Sequence, residues 1–260
     1  MKHAFKTILL STAVLALAAC GSKPAPEENE PAAEEPAVVT EAPEQTAEPE
    51  PEKKSGSLLY IGHASLRITT PEDKVIYIDP YAPGDYSAPA DLILVTHDHY
   101  DHNNVGLIET RAADCEVITQ NEALANGEHQ TFDLGYVTVE AVEAGNNPNH
   151  SITQCVGYVI TLSDGYRIYI SGDTSATEQM SAMADMHINT AFFCCDGQYN
   201  MGTEEAAQCA AAVNADVSIP YHTVVQEGVY FSRQQAETFD APGRIILEPG
   251  ESMELPSNGS

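Results

Sequence analysis

The stretch Thr96-His97-Asp98-His99-Tyr100-Asp101-His102 (THDHYDH) decides how this 260-residue chain is read. It follows residues 92–96 (LILVT), a continuously apolar run of the kind that forms a strand buried on both faces. Three imidazoles and two carboxylates then fall within six residues. A loop at the carboxyl end of a strand can aim that many side chains at one point. Neutral imidazole and carboxylate are good ligands for zinc and similar divalent ions. Read as His-x-His-x-Asp-His, the spacing lets His97 and His99 hold one ion while Asp101 and His102 face a second. The alternative, a solvated polar loop, does not call for this combination of residue types and spacing.

Working outward, the pattern predicts short strands at 58–61, 65–69 and 75–79 before the buried strand, separated by Gly and Pro-Glu-Asp. Residues 103–111 and 121–126 read as helical, with a strand at 116–119 between them. A second strand-rich block follows at 136–142, 156–162 and 167–171, with Ser163-Asp164-Gly165 as a hairpin turn. Helices predicted at 177–184, 203–213 and 232–239 alternate with strands at 190–194, 217–219 and 244–247. The helix from Thr203 begins with good helix formers and a hydroxyl cap. Two strand-rich halves, each ending in β/α units, imply two packed sheets with helices outside. The sequence contains no internal repeat.

Composition bounds the rest. Of 39 acidic residues ten lie in 23–55, which leaves 29 in residues 56–260 against six basic ones. A domain that acidic repels polyanions at long range, which disfavours nucleic acid as a substrate. Residues 56–260 are enough for one sizeable core. Five cysteines follow Cys20, namely Cys115, Cys155, Cys194, Cys195 and Cys209. An odd number argues against a full disulfide framework, and their spacing is not that of a zinc finger, so most should pack as small hydrophobes.

The amino terminus reads as an export signal. Lys2 and Lys6 precede an apolar run at 8–19, shorter than the roughly 20 residues that span a bilayer. It ends in Leu17-Ala18-Ala19-Cys20-Gly21, which resembles the lipobox of bacterial lipoproteins. That resemblance implies cleavage of 1–19, acylation of Cys20 and a lipid-anchored protein on the extracytoplasmic face of the membrane. Residues 20–55 then form a tether, since seven prolines and ten glutamates in 23–55 leave too little apolar surface to fold. The catalytic domain is expected at 56–260.

The THDHYDH loop resembles that of the metallo-β-lactamase superfamily, and the likeness runs through residues 57–250. It implies a four-layer αββα sandwich (α/β, or α+β) with two divalent metal ions at one edge, zinc by default and manganese or iron as alternatives. His150, in Asn149-His150-Ser151, looks like the third ligand of the first ion beside His97 and His99. Asp173, in Gly172-Asp173-Thr174, is similar to the carboxylate that bridges both ions. His222 looks like the last ligand of the second ion, beside Asp101 and His102. Asp79 matches an aspartate that supports the ligand loop. Ile61-Gly62-His63-Ala64-Ser65 and Asp196-Gly197-Gln198-Tyr199-Asn200-Met201 look like the branch that holds ascorbate-6-phosphate lactonase and the N-acylphosphatidylethanolamine phospholipase D relatives. Cys194-Cys195 departs from the apolar or small residues of that branch.

The implied chemistry is hydrolysis by a metal-bound hydroxide, because a bound water falls from a pKa near 15.7 to about 7. Asp173 and Asp101 are the candidate catalytic carboxylates, and His63, Tyr199 and Tyr221 the candidate proton donors. The substrate is expected to be a small lactone, ester, amide or phosphodiester. A non-catalytic metal- or solute-binding lipoprotein is the alternative, though a pure binder has no need of a bridging Asp173. Redox chemistry of the flavodiiron kind is disfavoured, because those proteins resemble His-x-Glu-x-Asp-His and position 99 here is His.

Overall fold

The computed structural model describes residues 54–257. The signal at 1–19, Cys20 and the tether through residue 53 lie outside the described residues.

Two six-stranded mixed sheets face each other. The first holds β1 (Gly56–Gly62), β2 (Ser65–Thr69), β3 (Val75–Ile78), β4 (Ala90–Leu94), β5 (Arg111–Ile118) and β12 (Ser252–Leu255), in the order β12-β1-β2-β3-β4-β5. The second holds β6 (Thr131–Asp133), β7 (Val137–Glu143), β8 (Val156–Leu162), β9 (Arg167–Ile170), β10 (Thr190–Cys194) and β11 (Val217–Tyr221), ordered β11-β10-β9-β8-β7-β6. Leu66, Ile68, Ile76, Leu92 and Leu94 from the first sheet join Val139, Tyr158, Ile160, Ile168 and Phe192 from the second in one buried cluster. Helices flank the sheets. α1 (Gln120–Ala123) follows β5, whereas α2 (Glu178–Ala182) and α3 (Thr203–Val213) pack on each other and on the second sheet; α4 (Arg233–Glu237) follows β11.

Strand direction collects the chemistry at one edge. β1 and β3 are both antiparallel to β2, so they run the same way, and β4 and β5 are parallel to β3. In the second sheet β9, β10 and β11 are mutually parallel, and β7 shares their direction because both it and β9 are antiparallel to β8. His63 therefore follows the carboxyl end of β1, Asp79 that of β3, the THDHYDH loop that of β4, Asp173 that of β9 and His222 that of β11. A crevice outside the carboxyl ends of parallel strands is where α/β sheets commonly place ligands. Pro220, which cannot donate to a ladder, is tolerated because β11 is an edge strand.

Several expectations change. The helix predicted at 103–111 is only a 3-10 turn, Val105–Leu107. Gly106 weakens it, Asn104 makes no side-chain cap, and the Arg111 guanidinium donates to the Val105 and Ile108 carbonyls as β5 begins. β5 runs Arg111–Ile118 rather than 116–119, and its largely exposed, bulged edge carries no alternating pattern to read. α3 is capped by Gly202 without a side-chain bond; the Thr203 hydroxyl pairs with that of Thr238 at 2.9 Å instead. The strand predicted at 244–247 reduces to a bridge between Ser218 and Arg244. Pro242-Gly243 and Pro249-Gly250 bend the chain on either side of it, and β12 returns to the first sheet. β6 and β12 are short edge strands that the pattern did not reveal. The Ser163-Asp164-Gly165 hairpin turn is present, with Asp164 accepting the Tyr166 N–H at 2.9 Å.

Candidate metal centre

The buried carboxylate of Asp79 organises the ligand loop. It accepts the Thr96 N–H at 2.8 Å, the Thr96 hydroxyl at 2.7 Å and His102 Nδ1–H at 2.8 Å. The Thr96 hydroxyl has its one proton on Asp79, so at its 3.1 Å contact with His97 Nδ1 it accepts. Asp79 thus fixes the same tautomer in two histidines, directly in His102 and through Thr96 in His97, and leaves both Nε2 atoms free to face the centre. His63, Asp79 and His222 all take left-handed backbone, with φ of 53°, 44° and 45°. Such conformations cost about 1–3 kcal/mol each and gather where side chains must be aimed. Gly172 makes a sharp approach possible just before Asp173: its φ is +62°, and a Cβ there would lie 2.6 Å from the Val156 carbonyl oxygen.

Two clusters result. His97, His99 and His150 offer nitrogens all within 4.8 Å of one another, and so do the donor atoms of His63, Asp101, His102 and His222. Asp173 stands between them. Its Oδ2 lies 3.4 Å from both His150 Nε2 and His222 Nε2, and its Oδ1 lies 3.4 Å from His102 Nε2. These contacts are longer than the ~2.7–3.2 Å of a formed hydrogen bond. Two donors each about 2.0–2.1 Å from a tetrahedral ion stand ~3.3–3.4 Å apart, so the spacing suits a shared cation. His97 Nε2, His102 Nε2, His222 Nε2 and Asp173 Oδ1 are buried without a hydrogen-bond partner among the described residues. Such atoms are costly to leave unpaired, and a cation satisfies them all. The donor set fits divalent metal.

The local electrostatics agree. Burial, reinforced by the neighbouring His102, pushes His97 down to about 2, and burial together with His222 pushes His63 down to about 4. Burial resists ionisation of Asp173, yet His222 and His102 hold it well below the usual carboxylate range. Burial likewise resists protonation of His102, and Asp173 and Asp79 outweigh it, so this imidazole is held well above its ordinary value. Neutral His97 and His63 and anionic Asp173 stand in the ligating state, whereas His102, paired with two carboxylates in the metal-free protein, gives up its extra proton when an ion binds.

Residues 57–222 match the family model for the beta-lactamase superfamily domain. The chain belongs to the metallo-β-lactamase superfamily. A UPF0173 metal-dependent hydrolase of Pyrococcus furiosus is 30% identical over 228 residues, spanning 75% of this chain and 98% of its own. A solved structure from Parabacteroides distasonis, assigned to the metal-dependent hydrolases, is 28% identical and covers 72% of this chain and 90% of its own, with a TM-score of 0.58. The metallo hydrolase Igni18 of Ignicoccus hospitalis shares the fold at 18% identity, with a TM-score of 0.60 over 78% of this chain and 99% of its own. The protein is accordingly a metal-dependent hydrolase of the UPF0173 family.

Within this superfamily site, the structure brings together all seven expected ligands. It adds His63 to the second cluster, with Nε2 3.3 Å from Asp101 Oδ2 and its ring centroid 3.8 Å from that of His222. His63 and Tyr199 line the cavity over the centre. Tyr221 does not: it is fully buried in β11 against the Phe192 ring, which removes it as a proton donor to substrate. Cys194 and Cys195 are buried behind the site and form no part of the cavity wall. All five described cysteines are free thiols, and Cys155, Cys194, Cys195 and Cys209 are buried.

Sequence reasoning missed the supports. Asn200 Nδ2 donates to Asp173 Oδ2 at 2.7 Å and to Asp196 Oδ2 at 2.7 Å. Asp196 accepts the Gln198 and Tyr199 N–H groups at 2.8 Å and lies 3.6 Å from His222 Nδ1. The Asp196–Met201 segment stood out only by resemblance. Its polar residues gave the only available signal, and nothing local said they would meet Asp173.

Proposed function

We propose that this metal-dependent hydrolase works with two divalent ions, zinc by default, on a small ester, lactone, amide or phosphodiester. The observation that carries the dinuclear reading is Asp173, whose Oδ2 stands 3.4 Å from a histidine of each cluster. His97, His99 and His150 would hold one ion, Asp101, His102 and His222 the other, with Asp173 shared. When bound, such ions supply Lewis acidity and activate water at neutral pH.

The chain's own residues do the rest. Asp79 and Thr96 hold the loop imidazoles in the ligating tautomer, and Asn200 keeps Asp173 in place. Asp101 and His63 meet at 3.3 Å on the wall of the cavity. There the neutral His63 ring donates Nε2–H to Asp101 Oδ2 and orients that carboxylate, while Tyr199, at the mouth, offers a hydroxyl to a departing group. Ester-type chemistry also follows the lactonase and phospholipase branch that the segments around His63 and Asp196 resemble.

We further propose that the protein works at the cell surface, tethered through acylated Cys20. Support comes from the sequence around Cys20; among the described residues no helix is long and apolar enough to cross a membrane.

Elemental analysis of the metal-replete protein, run with a hydrolysis panel of lactones, esters and phosphodiesters, tests the catalytic reading. About two ions per chain and turnover lost in Asp173→Ala are expected. Fewer than one tightly bound equivalent, or full turnover in Asp173→Ala, would sink it. Cys20→Ser should abolish membrane fractionation or stall processing; normal cleavage with retained membrane association would remove the lipoprotein assignment.

A further inference from the structure

Two cavities flank the candidate centre, and their walls differ in chemistry. One, of about 390 Å³, opens over His63, Asp101 and His222. Away from those groups its wall is mainly Tyr81, Tyr100, Tyr199, Val224, Val225 and Val229. The aromatic part forms a continuous track: the His63 and Tyr81 rings meet edge-on at 5.2 Å, and Tyr81 meets Tyr100 at 5.8 Å. Tyr100 and Tyr199 are 79% and 46% exposed, large rings left open to solvent at the mouth. The second cavity, of about 470 Å³, lies on the side of His97. Gln120, Asn121, Ser151, Thr153 and Gln154 line it with amides and hydroxyls.

His99, Asn149 and His150 belong to both walls, so the first histidine cluster stands between the two cavities. Neither wall contains a lysine or an arginine. Apart from the candidate ligands Asp101 and Asp173, each has one charged group, Glu227 in the first and Asp98 in the second. A phosphate, sulfate or carboxylate placed away from the reacting group would meet no cation and a fixed negative charge on either side.

We infer that the substrate is an amphiphile with two uncharged arms that straddles the centre. Its apolar acyl or aryl arm lies along the Tyr81–Tyr100 track and the valines, and its uncharged polar arm, carrying hydroxyl or amide groups, lies among Asn121, Gln120 and Gln154. The scissile group sits between them, beside His99 and His150. This rests on the hydrolase reading above, and it adds which end of the substrate faces which cavity. Cavities of ~300–1,000 Å³ with apolar walls and a few placed polar groups suit small organic molecules. An anionic arm reaching past the centre would stand beside Glu227 or Asp98 with no lysine or arginine to offset it, whereas the positive charge of bound ions acts on the scissile group between the cavities.

The test uses the metal-replete protein with glycerol esters of two-, four- and six-carbon acyl chains. Alongside them go ethyl esters of the same acids and glycerol esters ending in an ω-carboxylate. Uncleavable ketone analogues, in which CH₂ replaces the ester oxygen, give dissociation constants by calorimetry whether or not an ester turns over. Affinity should rise about two- to fourfold per added methylene. It should fall at least about tenfold with the ω-carboxylate and be higher for the glycerol compounds than for the ethyl ones. Glu227→Gln should recover part of the carboxylate penalty. Val225→Lys should reverse it, and Gln154→Leu should erase only the advantage of glycerol. All three variants should keep the wild-type metal content. Tighter binding of the ω-carboxylate analogue by the wild type, or no response to chain length, overturns the inference while leaving metal content and any ester hydrolysis intact. Loss of metal binding and of hydrolysis together would instead remove the reading on which it stands.

Discussion

Asp79→Ala is the most informative single change, because one carboxylate supports a ligand in each cluster. It removes three hydrogen bonds of 2.7–2.8 Å to a fully buried group. Bonds to a charged acceptor contribute about 1.5–3 kcal/mol each, and the donors left behind are buried and unpaired. Against this, the variant no longer carries the desolvation cost of the carboxylate, so a net loss of about 3–5 kcal/mol in stability is expected. The effect on metal is separable. Without Asp79 the His102 ring can take either tautomer, and the Thr96 hydroxyl is free to turn from His97. Losing one such support typically weakens metal binding about 10–100-fold, equivalent to ~1.4–2.8 kcal/mol. Titration of the purified protein against a competing chelator reads affinity and stoichiometry, and urea unfolding of the metal-free protein reads stability. Thr96→Val should reproduce only the His97 part, with His102 still anchored at 2.8 Å. If Asp79→Ala binds two ions within threefold of wild type, tautomer control by Asp79 is refuted whatever happens to stability.

Asn200→Leu should keep the fold but lower kcat/KM about 10–100-fold, since it removes the donor that steadies both Asp173 and Asp196; activity within twofold of wild type would show the contact is idle. Tyr221→Phe should leave kcat/KM unchanged, because that hydroxyl lies in the core rather than in the cavity; a tenfold fall would return Tyr221 to the reaction. In the metal-free protein His97 and His63 stay neutral down to about 2 and about 4 respectively, whereas the same groups unfolded protonate near 6.5. Between pH 6.5 and 4 the unfolded chain therefore binds more protons, and stability should fall as pH falls, by up to about 1.4 kcal/mol per pH unit for each histidine. His102, shifted the other way, is protonated in both states through most of that window and adds no slope. Equal urea midpoints at pH 6.3 and 4.5 for chelator-treated protein would contradict this.

The sequence by itself determined the ligand loop and the fold class. His97, His99, Asp101 and His102 are crowded into six residues after a buried strand, and metal chemistry accounts for that crowding without reference to anything distant. β2, β8, β10 and α3 were legible at their observed bounds, because the alternation in β2, the apolar runs of β8 and β10 and the helix formers of α3 declare themselves locally. Resemblance alone, not spacing, pointed to His150, Asp173, His222 and Asp79, since single residues scattered along the chain have no periodicity to read. Tertiary structure decided how these residues meet. The shared direction of β1, β3, β4, β7, β9, β10 and β11 puts their following loops on one edge, and sheet pairing is a long-range property that no local pattern encodes. The same pairing buried Tyr221, brought His63 against Asp101 and set Asn200 on Asp173. It also separated an apolar cavity from a polar one around His99 and His150. A polar residue in a loop has the same local signature whether it faces solvent or a metal ligand, and only the packing of two sheets distinguishes the two.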